Sequence, residues 1–163
     1  MATACRGRLK PFYPQKKANN IMKTSARNQL TGEVRSIKQG AVNCEVAVAL
    51  PGGQELVATI TLESCQNLGL QEGSTVIALI KSTSIIVATD LNHVKLSARN
   101  QLQGLISNVE RGAVNSVVTL DLGGGGLVTA GITMQSAEQL DLHPGQHAVA
   151  VFKAGSVILG VLA

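Results

Sequence analysis

Aromatic side chains are almost missing from this sequence: Phe12, Tyr13 and Phe152 are the whole set, and there is no Trp. A core without rings has to be filled by small aliphatic groups. Val, Ile, Leu and Ala dominate, and the 17 glycines point to short strands joined by tight turns. The shortage also removes the stacking platforms on which single-stranded nucleic acid is usually held. Cysteine is scarce too. Cys5, Cys44 and Cys65 show no metal-type spacing, and they read as free thiols in a reducing cytoplasm. No apolar run approaches the roughly 20 residues a membrane helix needs. The N-terminus has cations but no apolar h-region, so neither a membrane span nor a signal peptide is expected.

Acidic residues are absent from residues 1–21, which carry Arg6, Arg8, Lys10, Lys16 and Lys17. The formal net charge of +4 belongs to that stretch. Removing its five cations from 14 basic residues leaves 9 against 10 acids, a balance of −1. The rest of the chain therefore lacks the basic face that nucleic acid requires. With Pro11, Pro14, Asn19, Asn20 and no periodicity, residues 1–21 read as a disordered basic tail. Two origins compete for it. One is an extension upstream of a true start at Met22, the reading favoured here. The other is a tether for an anionic surface.

What the chain does have is itself, twice. Ser25-Ala26-Arg27-Asn28-Gln29-Leu30 returns unchanged as Ser97-Ala98-Arg99-Asn100-Gln101-Leu102, 72 residues later. Gly40-Ala41-Val42-Asn43 maps onto Gly112-Ala113-Val114-Asn115 with the same offset. So do Thr61 and Ser64 onto Thr133 and Ser136, and Lys81 onto Lys153. Roughly 27 of 68 aligned positions are identical without a gap, which makes this one module used twice. Cys44 and Cys65 align with Ser116 and Ala137, so the thiols are not part of what the repeats share. A module of about 68 residues is marginal alone. Pairing of the repeats, and of several chains, is expected to supply the missing burial.

Each repeat reads as strands. Leu30, Gly32 and Val34 alternate with polar residues between Asn28 and Ile37. Val42, Cys44, Val46, Val48 and Leu50 are expected on one face of a second strand. Pro51-Gly52-Gly53 is a hairpin turn, and Gln54 to Thr61 a third strand. Leu62 to Leu68 reads as a short helix with Thr61 as N-cap. Ser74 to Lys81 and Ser84 to Thr89 complete the set. Repeat two follows the same plan, with Gly123–Gly126 at its hairpin and Asp90 to Val94 as linker. The expected fold is all-β: two tandem OB-like five-stranded barrels, each with a short helix between strands three and four. The expected domains are 22–90 and 91–163.

Catalytic groups are not duplicated. His93, His143 and His147 have no counterparts in repeat one and read as surface or turn residues. No carboxylate position is shared, and no His/Cys cluster offers a site for a directly coordinated metal cation. The glycine run lacks the following Gly-Lys-Ser/Thr of a phosphate loop. The duplicated polar groups are hydrogen-bond donors instead: Ser25, Arg27, Asn28, Thr61, Ser64 and Lys81, with Ser97, Arg99, Asn100, Thr133, Ser136 and Lys153. A small oxyanion presents only acceptors, and Arg plus Lys would neutralise a dianion. Plainer roles compete: a simple N-cap pair at Thr61 and Ser64, solvated side chains at Arg27 and Lys81, and a turn residue at Asn28.

The order Ser-Ala-Arg-Asn, Gly-Ala-Val-Asn, Ile-Thr-x-x-Ser and Lys-(Ala/Ser)-x-Ser, run through twice over residues 23–162, resembles the Mop domain. In tandem it is similar to the di-mop molbindins, small cytoplasmic molybdate-binding proteins. The resemblance implies molybdate or tungstate as ligand, no catalytic cofactor, no enzymatic activity, and a trimer of two-repeat chains. It implies sites between modules. There, Ser25, Ala26 and Arg27 of one module would meet Thr61, Ser64 and Lys81 of another. Ser97, Ala98 and Arg99 would likewise meet Thr133, Ser136 and Lys153. Asn43 and Asn115 would line a second type of site near the symmetry axis. Repeat one departs slightly, with Lys81-Ser82-Thr83-Ser84 where repeat two has Lys153-Ala154-Gly155-Ser156. The expected function is cytoplasmic storage and homeostasis of molybdenum. The rivals are the sensing module of a molybdate-responsive transcription regulator or transporter, and an OB-type nucleic-acid binder. Residues 1–21 are too short for a helix-turn-helix, so the first rival would need another domain or partner.

Overall fold

The computed structural model describes residues 22–162, so the tail expected at 1–21 lies outside the described residues. Repeat one forms β1 (Asn28–Gln39), β2 (Asn43–Ala49), β3 (Glu55–Thr61), α1 (Leu62–Asn67), β4 (Thr75–Ile80) and β5 (Ile86–Ala88). Repeat two forms β6 (Asn100–Arg111), β7 (Asn115–Gly123), β8 (Gly126–Thr133), α2 (Met134–Gln139), β9 (His147–Phe152) and β10 (Val157–Gly160). Short 3-10 turns at Ser82–Ser84 and Ala154–Ser156 precede the last strand of each repeat.

Period-two patterning builds the inner faces. Cys44, Val46 and Val48 of β2 are buried, as are Leu30 and Val34 of β1. Val42 does not join them, although the alternation placed it there. It sits in the turn before β2 and is 72% exposed, with its carbonyl accepting from Leu62 N–H at 2.9 Å. The strand begins only at Asn43, so the alternation does not reach back to Val42.

The long β1 serves two neighbours. Residues 28–33 pair with β4 and residues 33–39 with β2, with a register irregularity between Val34 and Ser36. Such a break lets one strand bend from one side of a barrel to the other. Gly32 sits where this bend brings backbones together. A Cβ there would lie 2.5 Å from the Ala49 carbonyl oxygen, so no larger residue fits without moving β2.

The two five-stranded sheets have the orders β10-β4-β1-β2-β3 and β5-β9-β6-β7-β8. Each repeat therefore gives its last strand to the other. β10 pairs with β4 and lies against β3, and β5 pairs with β9 and lies against β8, which closes each sheet towards a barrel. This exchange is invisible in the 72-residue offset, because a strand looks the same whichever barrel receives it. Its consequence is one continuous apolar cluster drawn from both repeats, including Ile80, Ile85 and Val87 with Leu102, Phe152 and Val157. The burial each small module lacked comes from its twin. The arrangement has approximate twofold symmetry. The two hairpin turns meet at equivalent glycines, where a Cβ on Gly124 would lie 2.5 Å from the Gly52 nitrogen.

Candidate functional site

The repeated Ser-Ala-Arg-Asn segments enter β1 and β6, and the asparagines explain their own recurrence. Asn28 is buried; its Nδ2 donates to the Thr129 carbonyl at 2.8 Å and its Oδ1 accepts from Thr129 N–H at 2.7 Å. Asn100 does the same to Val57, at 2.7 Å in both directions. Thr129 and Val57 are equivalent under the offset. Each amide thus imitates a strand and satisfies an edge peptide of the opposite repeat. These two residues leave the donor set, because their polar atoms are already used between the repeats. Gln54 adds a second bridge in one direction only, accepting from Gln103 N–H at 2.8 Å and donating to its carbonyl at 2.7 Å. Gln54 aligns with Gly126, so no repeat signal marked it.

These bridges set a register. Residue 100 meets 57 and 103 meets 54, so β6 runs antiparallel along β3, and Ser97 lies towards the Thr61 end. By the same relation Ser25 lies towards Thr133. Asn28 faces Ile80 across β1 and β4, which sets Arg27 beside Lys81 just beyond the paired residues. Asn100 faces Phe152, which sets Arg99 beside Lys153. The 3-10 turn after Lys81 packs against β8: a Cβ on Gly131 would lie 3.4 Å from Thr83 Cγ2 and 3.5 Å from Ser82 Oγ. The turn after Lys153 packs against β3. Within one chain, then, the Ser25–Arg27 segment runs along β8 in the direction of Thr133, and the turn after Lys81 packs on the same strand. The Ser97–Arg99 segment runs along β3 in the direction of Thr61, and the turn after Lys153 packs on that strand. Each lysine is set beside the arginine of its own repeat, whereas the resemblance groups it with the Thr-x-x-Ser turn of that repeat.

The Thr-x-x-Ser turns are N-caps with a further proton to give. Thr61 Oγ1 accepts from Ser64 N–H at 3.1 Å and donates to Ser64 Oγ at 2.7 Å. Thr133 and Ser136 repeat this at 3.1 and 2.8 Å. In this arrangement the serine hydroxyl accepts from threonine, and its own proton is left for another acceptor. Asn43 pairs across from Thr61, and Asn115 across from Thr133, all four exposed. The Gly-Ala-Val-Asn turns therefore border the Thr-x-x-Ser turns.

The two arginines differ. Arg99 makes a two-pronged ion pair with Glu45, at 2.6 and 2.8 Å, the one salt bridge among the described residues. The Arg99 hydrogen bond holds the Glu45 carboxyl below the usual carboxylate range, and the Arg99 guanidinium is pushed up in turn. Val117 occupies the position equivalent to Glu45. Arg27 instead borders a cleft of about 520 Å³ with Met22, Gln29, Thr31, Leu122 and Leu127, and no carboxylate lines it. Sequence comparison of the repeats could have flagged Glu45 only as a difference, and differences were not what the repeats advertised.

No group of three or more His, Cys, Asp or Glu able to hold a metal ion occurs among the described residues. His93, His143 and His147 are exposed, and His143 Nδ1 lies 2.7 Å from the Asp141 carbonyl oxygen within its own turn. Cys44 and Cys65 are free and buried, and burial next to Cys44 pushes the Cys65 thiol up. No helix among the described residues is long and apolar enough to cross a membrane.

Comparison with known proteins fits this layout. The TOBE domain matches twice, over residues 24–87 and 96–159. The molybdenum transport protein ModE of Herbaspirillum seropedicae is 49% identical over 140 residues, covering 86% of this chain and 52% of the relative. The molybdenum-pterin-binding protein MopA of Rhodobacter capsulatus is 41% identical over 152 residues, covering 91% of this chain and 57% of the relative. The chain thus spans about half the length of these curated relatives. The crystal structure of the cytoplasmic molybdate-binding protein ModG, with molybdate bound, superposes with a TM-score of 0.84 at 47% identity. That match covers 86% of this chain and all of the ModG chain. With both repeats matched and a full-length structural counterpart, the chain belongs to the TOBE-domain family, as a tandem pair of Mop-type modules.

Proposed function

We propose that the protein binds molybdate, with tungstate as an equivalent ligand, and serves as a non-enzymatic cytoplasmic store of molybdenum. The observation that supports this is one donor set present in both repeats, with each Ser-Ala-Arg segment running along the opposite repeat in the direction of its Thr-x-x-Ser turn. In this reading Arg27 and Lys81 serve with Thr133 and Ser136, and Arg99 and Lys153 with Thr61 and Ser64. A tetrahedral dianion has acceptor oxygens and no donors. A guanidinium, an ammonium and two hydroxyls supply charge and protons without asking for acceptors. Gathering donors from two modules also shields the ion from water, which strengthens each bond. Ser25 and Ser97 add a hydroxyl each, and the Ala26 and Ala98 segments add backbone. Asn43 and Asn115 supply amides at the border, where a second type of site would use them.

Support for molybdate comes from the ModG match, which spans the whole of that chain. ModE proteins match over about half their length, and a sensing module of a regulator is the alternative reading. Assembly into a homotrimer is part of the proposal. Val42 and Val114 are 72% and 73% exposed, and Ile86 and Ile158 are each 65% exposed. These are two equivalent pairs of large apolar residues facing outward, as a self-association surface requires.

Isothermal calorimetry with molybdate, tungstate and sulfate tests the reading. Heat with the first two on folded protein is expected, and none with molybdate overturns it. Arg27→Ala and Arg99→Ala should each remove only part of the total stoichiometry. Unchanged stoichiometry and affinity would make these arginines structural.

A further inference from the structure

The two candidate sites are built on one plan, yet one of them contains its own competitor. Glu45 of β2 holds both terminal nitrogens of Arg99. It lies opposite Thr59 in the β2–β3 pairing, two residues from Thr61 on the same outward face. Two residues of strand are about 7 Å, within the swing of an arginine side chain. Arg99 therefore rests on a carboxylate next to the place where the oxyanion reading puts an anion. Glu55 adds a second acid to its field. In the other site the equivalents of Glu45 and Glu55 are Val117 and Leu127, and neither carries charge.

We infer that Glu45 is an internal anion that latches Arg99, so the Arg99 site binds oxyanion more weakly than the Arg27 site and only by displacing the carboxylate. The inference rests on the oxyanion reading and adds an ordering of the two sites. It requires no change of fold. The latch is exposed on both sides, 54% for Arg99 and 29% for Glu45, so the guanidinium turns without disturbing the core. A dianion arriving beside Glu45 meets a like charge as well as a cation already neutralised. Removing one unit charge a few ångströms from the ligand is expected to change affinity about tenfold or more. The effect should shrink as salt rises.

A reciprocal exchange tests this with molybdate as the titrant. The wild-type isotherm should resolve two classes of site. Glu45→Gln should tighten the weaker class about tenfold and leave the tighter class alone. Val117→Glu should place a carboxylate opposite Arg27 and weaken the tighter class. Thermal melts and circular dichroism establish that both variants fold. A Glu45→Gln variant that binds more weakly would make Glu45 a residue that positions Arg99, and would overturn the latch. Equal effects on both classes, or none, would overturn it too while leaving oxyanion binding intact. No molybdate heat in the wild type or either variant would sink both readings together.

Discussion

The two repeats have the same strands, the same caps and the same bridging asparagines, but they differ where charge meets charge. Repeat one lays Glu45 and Glu55 on the outer face of β2 and β3, and repeat two lays Val117 and Leu127 there. The first surface captures the arginine of the opposite repeat; the second leaves its arginine beside an uncharged cleft. Identity between the repeats marks what the fold and the donor set need. Divergence marks where the two outer faces have become different. A duplicated protein is informative in both respects, since each repeat is the other's control.

The sharpest way to break the comparison acts on the shared core. Phe152 and Ile80 occupy equivalent positions, and both are buried in the single cluster. Phe152→Ala is expected to cost about 3–5 kcal/mol and Ile80→Ala about 2–5 kcal/mol, from lost transfer energy and the cavity left behind. Because the strands are exchanged, each substitution should lower one cooperative denaturation transition. Two separated transitions would mean that the repeats unfold independently.

The asparagine bridges come next. Asn100→Ala strands the Val57 N–H and carbonyl in a buried setting and should cost about 2–4 kcal/mol. Asn28→Ala affects a partly buried pair and should cost about 1–2 kcal/mol. Equal costs in urea denaturation would erase this distinction between the bridges.

A smaller effect distinguishes the outer faces. The Glu45 carboxyl is held low in the folded chain, so the pair stabilises fully above about pH 4.3, the ordinary glutamate value. That contribution is lost as pH falls through the lowered native value. The difference in stability between wild type and Glu45→Gln should therefore vanish in acid. A pH-independent difference would mean that the carboxylate charge is not what Arg99 responds to. Val117→Gln, its counterpart, should show no such acid limb.

The smallest effect lies after the helices. Gly69 and Asp141 are equivalent and both have positive φ, 61° and 47°. Gly69→Ala should destabilise by about 1 kcal/mol, because a Cβ is strained there. Asp141→Gly should range from neutral to about 1 kcal/mol stabilising. A destabilised Asp141→Gly would show that the aspartate side chain does something in this turn that glycine cannot.

Much of this was legible before any coordinates. Period-two alternation found the strands, because each barrel has one buried face, and it failed at Val42, where the strand had not yet begun. The Thr61 cap was readable because local side-chain-to-backbone bonds depend only on near neighbours. That Lys81 lies beside Arg27 was not legible, because cross-strand register decides its neighbours. Asn28 and Asn100 looked like ligand donors, since a repeated polar residue is ambiguous until its partner is seen.

By itself the sequence determined that one module occurs twice, that it is built of short strands with aliphatic interiors, and which polar groups the two copies share. These follow from composition, periodicity and self-comparison, which are properties of residues near one another along the chain or at a fixed offset. Only the tertiary structure decided that the last strands are exchanged, that asparagine amides join the repeats, and that Glu45 rather than open solvent faces Arg99. Those are contacts between distant segments with no fixed spacing, and burial and hydrogen bonding select them only once the whole chain has closed on itself.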